Sequence, residues 1–432
     1  MKWALLLLFA VLPLQWFLVP GLPLGPQRLH LLALLLFAGV FFLRHRARVC
    51  LPVLSVALPF VAANAALVAV WAASGIYHGS GVRGPFQEAI QLVVFVAVGT
   101  VVFRGARGLD PGVIELARWA ALAAAASLLL ALSVSMVSNG INPAATFART
   151  LAQGDPAILQ RELFRSAFGG FGFDADTVQG NVRHEVFGAV LSAMCLSAVA
   201  VRLRPFASSP ALWVYRGSLT LGAVLIVVSL SRSVLLAAAM WPLLAMLRAL
   251  LQLRISGRHV AAVFVGAVAA VVGVVSGFAA VLWVRFTEDT VSYEGRDALL
   301  EQALRDIPDH LLTGVEDVSG VSSHVFLVDS FLRAGVLGGL LAILITGLVV
   351  GLWVLLIVRL RVEPSWMVPV TAALALPVVR LFTSGGGVIP PVQWVGLGVV
   401  AGFMAYRAAG IDRREHDTEE SAVDGRLAAK RK

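Results

Sequence analysis

The feature that most constrains this chain is a succession of apolar runs, near residues 3–20, 29–43, 50–74, 86–103, 113–137, 185–201, 211–230, 234–252, 260–284, 326–358, 366–383 and 392–409. A helix needs about 20 apolar residues to cross the hydrocarbon core of a bilayer, and most of these runs are near that length. A soluble domain has no means of hiding them, because 59% of the residues are hydrophobic and only 14% are charged. Mean hydropathy is +0.87. The expected fold is therefore all-α, a polytopic membrane bundle of about twelve transmembrane helices. The first run begins like a signal peptide, but no small-residue cleavage site follows it, so it is read as an uncleaved span.

Charge then sets the topology. The chain carries a formal +9, and in a membrane protein excess arginine is first explained by orientation, with no nucleic-acid partner implied. Alternate connections hold the arginines: Arg44, Arg46 and Arg48; Arg104 and Arg107; Arg202 and Arg204; Arg254 and Arg258; Arg359 and Arg361. All fall on one side if the helices are counted as above. The positive-inside rule makes that side cytoplasmic, together with both termini. Residues 411–432, dense in Arg, Lys, Asp and Glu, read as a solvated cytoplasmic tail beyond a membrane domain of residues 1–410.

Two long connections, 138–184 and 285–324, face the other side. Within the second, Asp297-Ala298-Leu299-Leu300-Glu301-Gln302-Ala303-Leu304 has helical periodicity, and Pro308 closes it. A short amphipathic helix is predicted there. Neither an internal repeat nor a low-complexity block occurs. Cys50 and Cys195 lie inside apolar runs and read as packing residues.

Four groups of residues at that outer side are candidates for chemistry. Leu230-Ser231-Arg232-Ser233 is expected as a tight reversal with a permanent cation at its tip, suited to phosphate oxygens or to snorkelling toward headgroups. Arg296, in Tyr293-Glu294-Gly295-Arg296-Asp297, is expected to open the amphipathic helix, where free backbone N–H groups favour an anion. The competing reading pairs it with Glu294 or Asp297. His324 enters the tenth run and can accept a proton at neutral pH, while Asp329 and Arg333 stand four apart and can pair on one helical face. Arg183 and His184 precede the sixth run, with His184 read as structural, and Arg380 lies late in the eleventh. No cluster has metal-ligand spacing, no cofactor motif is present, and the loop aspartates Asp174 and Asp176 read as solvated.

The order of these strings carries a resemblance. Leu230-Ser231-Arg232-Ser233, then Gly295-Arg296-Asp297-Ala298-Leu299, then Pro308 through Gly314, then Ser323-His324-Val325-Phe326-Leu327 with Gly335 and Gly338, resembles the O-antigen ligase and O-antigen polymerase superfamily. Two departures stand out. Val325 follows His324 where the family has Asn, and Gly314-Val315-Glu316 replaces a Gly-x-Gly turn. The resemblance implies a GT-C-like bundle and an inverting, metal-independent glycosyl transfer at the periplasmic face of a bacterial inner membrane. It implies a glycan donor on undecaprenyl diphosphate, and a lipid A-core or lipid-linked acceptor. Carried onto this chain, it makes Arg232 and Arg296 the diphosphate ligands and His324 the base. A transporter or flippase is the reading from another class; it predicts helices broken near mid-bilayer or a two-fold repeat.

Overall fold

The computed structural model describes residues 1–410 apart from 16–17, 20–26, 46, 80–82, 139, 156–157, 159–161, 163–181, 254–256, 276, 288–290, 316–322, 324 and 384–390. Every apolar run is helical over all or part of its length. In chain order the helices are α1 Lys2–Val11, α2 Leu29–Arg44, α3 Leu51–Tyr77, α4 Arg83–Ala106, α5 Pro111–Ala117, α6 Ala120–Ser138, α7 Pro143–Gln153 and α8 Val182–Leu203. They continue as α9 Ser209–Val228, α10 Arg232–Leu251, α11 Gly257–Val275, α12 Phe278–Thr287, α13 Val291–Asp306, α14 Phe326–Val358, α15 Met367–Thr383 and α16 Pro391–Ala408. The described β structure is a two-residue antiparallel ladder, Leu18–Val19 against Gln27–Arg28.

Among the described residues six helices are long and apolar enough to cross a membrane, or seven if α5 and the part of α6 bent 43° from it form one span. That is the architecture of a multi-pass helical membrane protein. The difference from about twelve runs has local causes. The first run stays helical only to Val11, and Pro13, which has no N–H to continue the helical ladder, follows directly after Leu12. The run 260–284 is divided at Gly277, whose φ of 77° only glycine adopts at no steric cost. The apolar helices Lys2–Val11, Leu29–Arg44 and Met367–Phe382 are shorter.

The connections also differ from expectation. Residues 138–184 are not a bare loop. They hold α7, started by the Asn142 side chain accepting from the N–H groups of Ala144 and Ala145, and stopped by Gly154 in the left-handed region. The predicted amphipathic helix exists but begins at Val291, a turn and a half early. Its apolar face docks, with Ala303 and Leu300 packed on Val328 and Leu332 of α14.

Small residues set the closest helix pairing. A Cβ at Gly398 would sit 2.7 Å from the Phe95 carbonyl oxygen, and one at Gly99 would sit 3.0 Å from the Gly398 carbonyl oxygen. Helices α4 and α16 therefore run backbone against backbone, the contact that drives association where lipid removes the hydrophobic incentive. Cys50 and Cys195 are buried and unoxidised, as packing residues.

Several described arginines meet at one end, where they act on backbone carbonyls. Arg202 donates to Ser365 O. Arg248 donates to Leu360 O at 3.3 Å and Glu363 O at 2.7 Å, and Arg118 to Arg204 O at 3.2 Å. Partial burial, then Arg104 and Arg44, hold His45 below its ordinary pKa. Among the described residues, the one buried acid at this end is Glu363, 2% exposed, gripped at both oxygens by Arg407. Removing one partner strands a buried charge, which costs about 3 kcal/mol. Arg407→Ala is thus expected to lower the melting temperature of the purified protein sharply, and Glu363→Leu with Arg407→Ala to recover most of the loss. Additive losses in that cycle would show that the pair is not coupled.

Candidate functional site

At the end opposite the arginine clusters, α14 is not one helix. Ala334 (φ −148°, ψ 24°) and Gly335 (φ 60°, ψ −154°) break it. The break is filled by the segment that follows the 3-10 turn Ile307–His310: Val315 N–H donates to Leu332 O and Val336 N–H to Leu311 O, each at 2.6 Å. Backbone groups released by the break are satisfied in this way. The approach is so close that a Cβ at Gly314 would lie 2.5 Å from Leu332 O. Ser74 of α3 adds its hydroxyl, 2.6 Å from Arg333 O and 2.9 Å from Thr313 O, donating to one of them. His78 Nε2 lies 3.2 Å from Thr313 O.

The docked segment frames a polar group. Asp329 is 2% exposed and accepts from Ser323 N–H at 2.8 Å and Ser323 Oγ at 2.7 Å. Arg333, one turn on, feels the charges of Asp329 and Glu88, and its guanidinium stacks 4.7 Å over Trp71. The predicted Asp329–Arg333 neighbours are therefore brought together, with Glu88 of α4 as a third charge. Glu88 in turn lies within electrostatic reach of Glu185 at the start of α8.

Arg380 is buried at 2% exposure in α15. Helices α10 and α15 pack antiparallel: Arg248 at one end of α10 is bonded to Leu360 and Glu363, just ahead of α15. Both then rise at about 1.5 Å per residue, which brings Arg232 and Arg380 to the same level. Arg232 is half-buried as the first residue of α10. The Ser-Arg-Ser reversal is tight, as expected from sequence, and its turn is buried. Ser229, Leu230 and Ser231 are all 0% exposed. Ser229 Oγ donates to Ile226 O at 2.6 Å and accepts from Ser231 N–H at 3.1 Å. Leu230 holds φ at 51°, a conformation a branched residue adopts only under constraint.

Arg296 is corrected as well. It lies inside α13, so its N–H belongs to the helix ladder and the free N–H groups are those of the helix's first turn, ahead of it. The anion argument from the helix start does not apply to it, and its side chain lies outside the described residues. His324 also lies outside them, between the described Ser323 and Val325. Arg183 and His184 belong to the first turn of α8, with side chains outside the described residues.

Sequence reasoning missed Glu88, Gln91, Trp71 and Gln393, although Glu88 is the only acid in the run 86–103. An ionisable residue within an apolar run is itself the signal. No protein-family model matches the chain, and no curated protein does.

Proposed function

We propose that this protein is an inner-membrane glycosyltransferase of the O-antigen ligase and polymerase type. It transfers a glycan from undecaprenyl diphosphate to a lipid A-core hydroxyl at the periplasmic face. The observation that carries the reading is the division of charge between the two ends. At one end the arginines cap loop carbonyls and pair with acids of their own. At the other, Arg333 lies within electrostatic reach of Asp329 and Glu88 beside a docked segment, and Arg232 and Arg380 lie near the ends of α10 and α15 remote from Arg248 and Glu363.

On this reading the chain crosses the bilayer about twelve times in a GT-C-like bundle, arginine-rich end and both termini in the cytoplasm. Arg232 and Arg296 neutralise the diphosphate, which then leaves readily without a metal. His324 takes the proton of the acceptor hydroxyl as its oxygen attacks the anomeric carbon. The bond from that carbon to phosphate oxygen breaks, the configuration inverts, and undecaprenyl diphosphate departs. Asp329 holds the backbone next to His324 through Ser323.

A transporter is less well supported. The break in α14 is near its start, and Val336–Val358 still spans roughly 34 Å, a full hydrocarbon core. A helix interrupted at mid-bilayer, as transporters use, is not what this break makes.

Gel analysis of lipopolysaccharide from a deletion strain tests the reading. Core without O-chain, with lipid-linked polymer accumulating, is the result expected of a ligase. A single repeat on core identifies the polymerase, whose acceptor is another lipid-linked unit. An unchanged glycan pattern excludes both.

A further inference from the structure

At the arginine-rich end, a cavity of about 320 Å³ lies among α3, α4, α14, α15 and α16, lined by apolar residues alone. Its floor is buried: Phe95 of α4, Leu374 of α15, and Leu397 and Val400 of α16 are at most 6% exposed. Its rim is not. Val56 and Pro59 of α3 and Gly351 and Leu355 of α14 are exposed, so the cavity opens sideways between these two helices, toward lipid.

The helices fix its level. Leu355 stands one turn and Gly351 two turns before Arg359, which puts Gly351 about 12 Å from that arginine at the helical rise. Val56 lies in the second turn of α3, whose far end holds Ser74 against the docked segment. Met404, also on the lining, precedes Arg407 by one turn of α16. One leaflet contributes about 15 Å of hydrocarbon, half of the core. The cavity therefore belongs to the leaflet at the arginine-rich end, and its depth is the reach of a fatty acyl chain.

Its volume is in the range of ligand sites, about 300–1,000 Å³, and an apolar space does not hold water. The bilayer supplies the chain that fills it. Charge then selects the headgroup. Arg359 and Arg361 follow directly on α14 and are exposed. The neighbouring acid, Glu363, is taken by Arg407, so the mouth of the cavity is net positive at the level of the lipid phosphates. We propose that the cavity binds one acyl chain of an anionic glycerophospholipid, whose phosphate Arg359 and Arg361 hold. This lipid is a bound structural partner at the end opposite Arg232 and the docked segment, so the site stands or falls separately from the transfer reading.

The test is native mass spectrometry of the full chain in detergent micelles, titrated with phosphatidylglycerol or with phosphatidylcholine of the same chains. The wild type is expected to retain one phosphatidylglycerol about twentyfold more tightly than phosphatidylcholine. Arg359→Gln and Arg361→Gln should each remove about fivefold of that preference, the share of one arginine beside an anionic lipid. Gly351→Phe should weaken both lipids about tenfold or more, the loss of a few buried methylenes. A Cβ at Gly351 meets nothing within 4 Å, so the ring enters open space and the lipid-free variant should melt no lower than the wild type. Gly347→Phe, one turn away, equally open and outside the lining, should bind both lipids as the wild type does. Equal retention of the two lipids by the wild type, or undiminished binding in Gly351→Phe, overturns the site. Equal losses in Gly347→Phe and Gly351→Phe also overturn it, leaving only the lipid coat of the bundle. Tighter retention of a polyprenyl phosphate than of phosphatidylglycerol overturns it in favour of an isoprenoid chain.

Discussion

Replacing Gly335 with alanine is expected to destabilise the protein by about 3 kcal/mol or more, among the larger losses a single substitution produces. Two effects combine. The conformation φ 60°, ψ −154° is open essentially to glycine alone. A Cβ there would also collide with the Leu311 carbonyl and lie 2.7 Å from Leu312 backbone atoms. Backbone cannot step aside as the end of a flexible side chain can. The docked segment must lift, and the Val315–Leu332 and Val336–Leu311 hydrogen bonds go with it. Gly347→Ala is the control on the same helix. A Cβ there meets nothing within 4 Å, so helix propensity should make it neutral or stabilising by roughly 0.5–1 kcal/mol. Thermal melting of the two purified variants checks the contrast; equal melting temperatures would mean that the break is not held as described.

That break also marks what sequence can and cannot convey. The position of nearly every helix is legible, because an apolar run in a bilayer has to satisfy its own backbone and helix is the way a single segment does so. The placing of Arg202 and Arg204 at the same end as Arg104 and Arg44 is legible from their alternation. The break is not, since Arg333-Ala334-Gly335-Val336 sits in an apolar run that reads as continuous helix from 326 to 358. It exists because residues 311–315 supply the missing backbone partners, and that is a tertiary fact. The start of α13 at Val291 was signalled by Thr290, a favoured N-cap residue directly before it, but the apolar periodicity that draws the eye begins only at Asp297. Burial of the Ser-Arg-Ser reversal rests on Leu230 in a left-handed conformation, and nothing about a leucine announces it. Glu88 went unnoticed for a simpler reason: a single charge averages away across a run of span length. The nearness of Asp329 to Arg333 was readable because a spacing of four places both on one helical face.

The second large effect falls on chemistry and not on folding. If Arg232 and Arg296 neutralise a departing diphosphate, each guanidinium acts mainly in the transition state, and removing one should slow transfer by about 10²–10³-fold. Loss of the His324 base should cost about 10²–10⁴-fold. Reductions of that size leave no visible product in a cell. Lysine at 232 or 296 keeps the charge but not the planar fork, so partial activity is expected there. The most direct measurement is surface polysaccharide on a gel from a deletion strain complemented with Arg232→Ala, Arg296→Ala or His324→Ala, with protein level followed by immunoblot. The account predicts wild-type protein levels and no surface polysaccharide in each of the three. Normal polysaccharide in all three would contradict it.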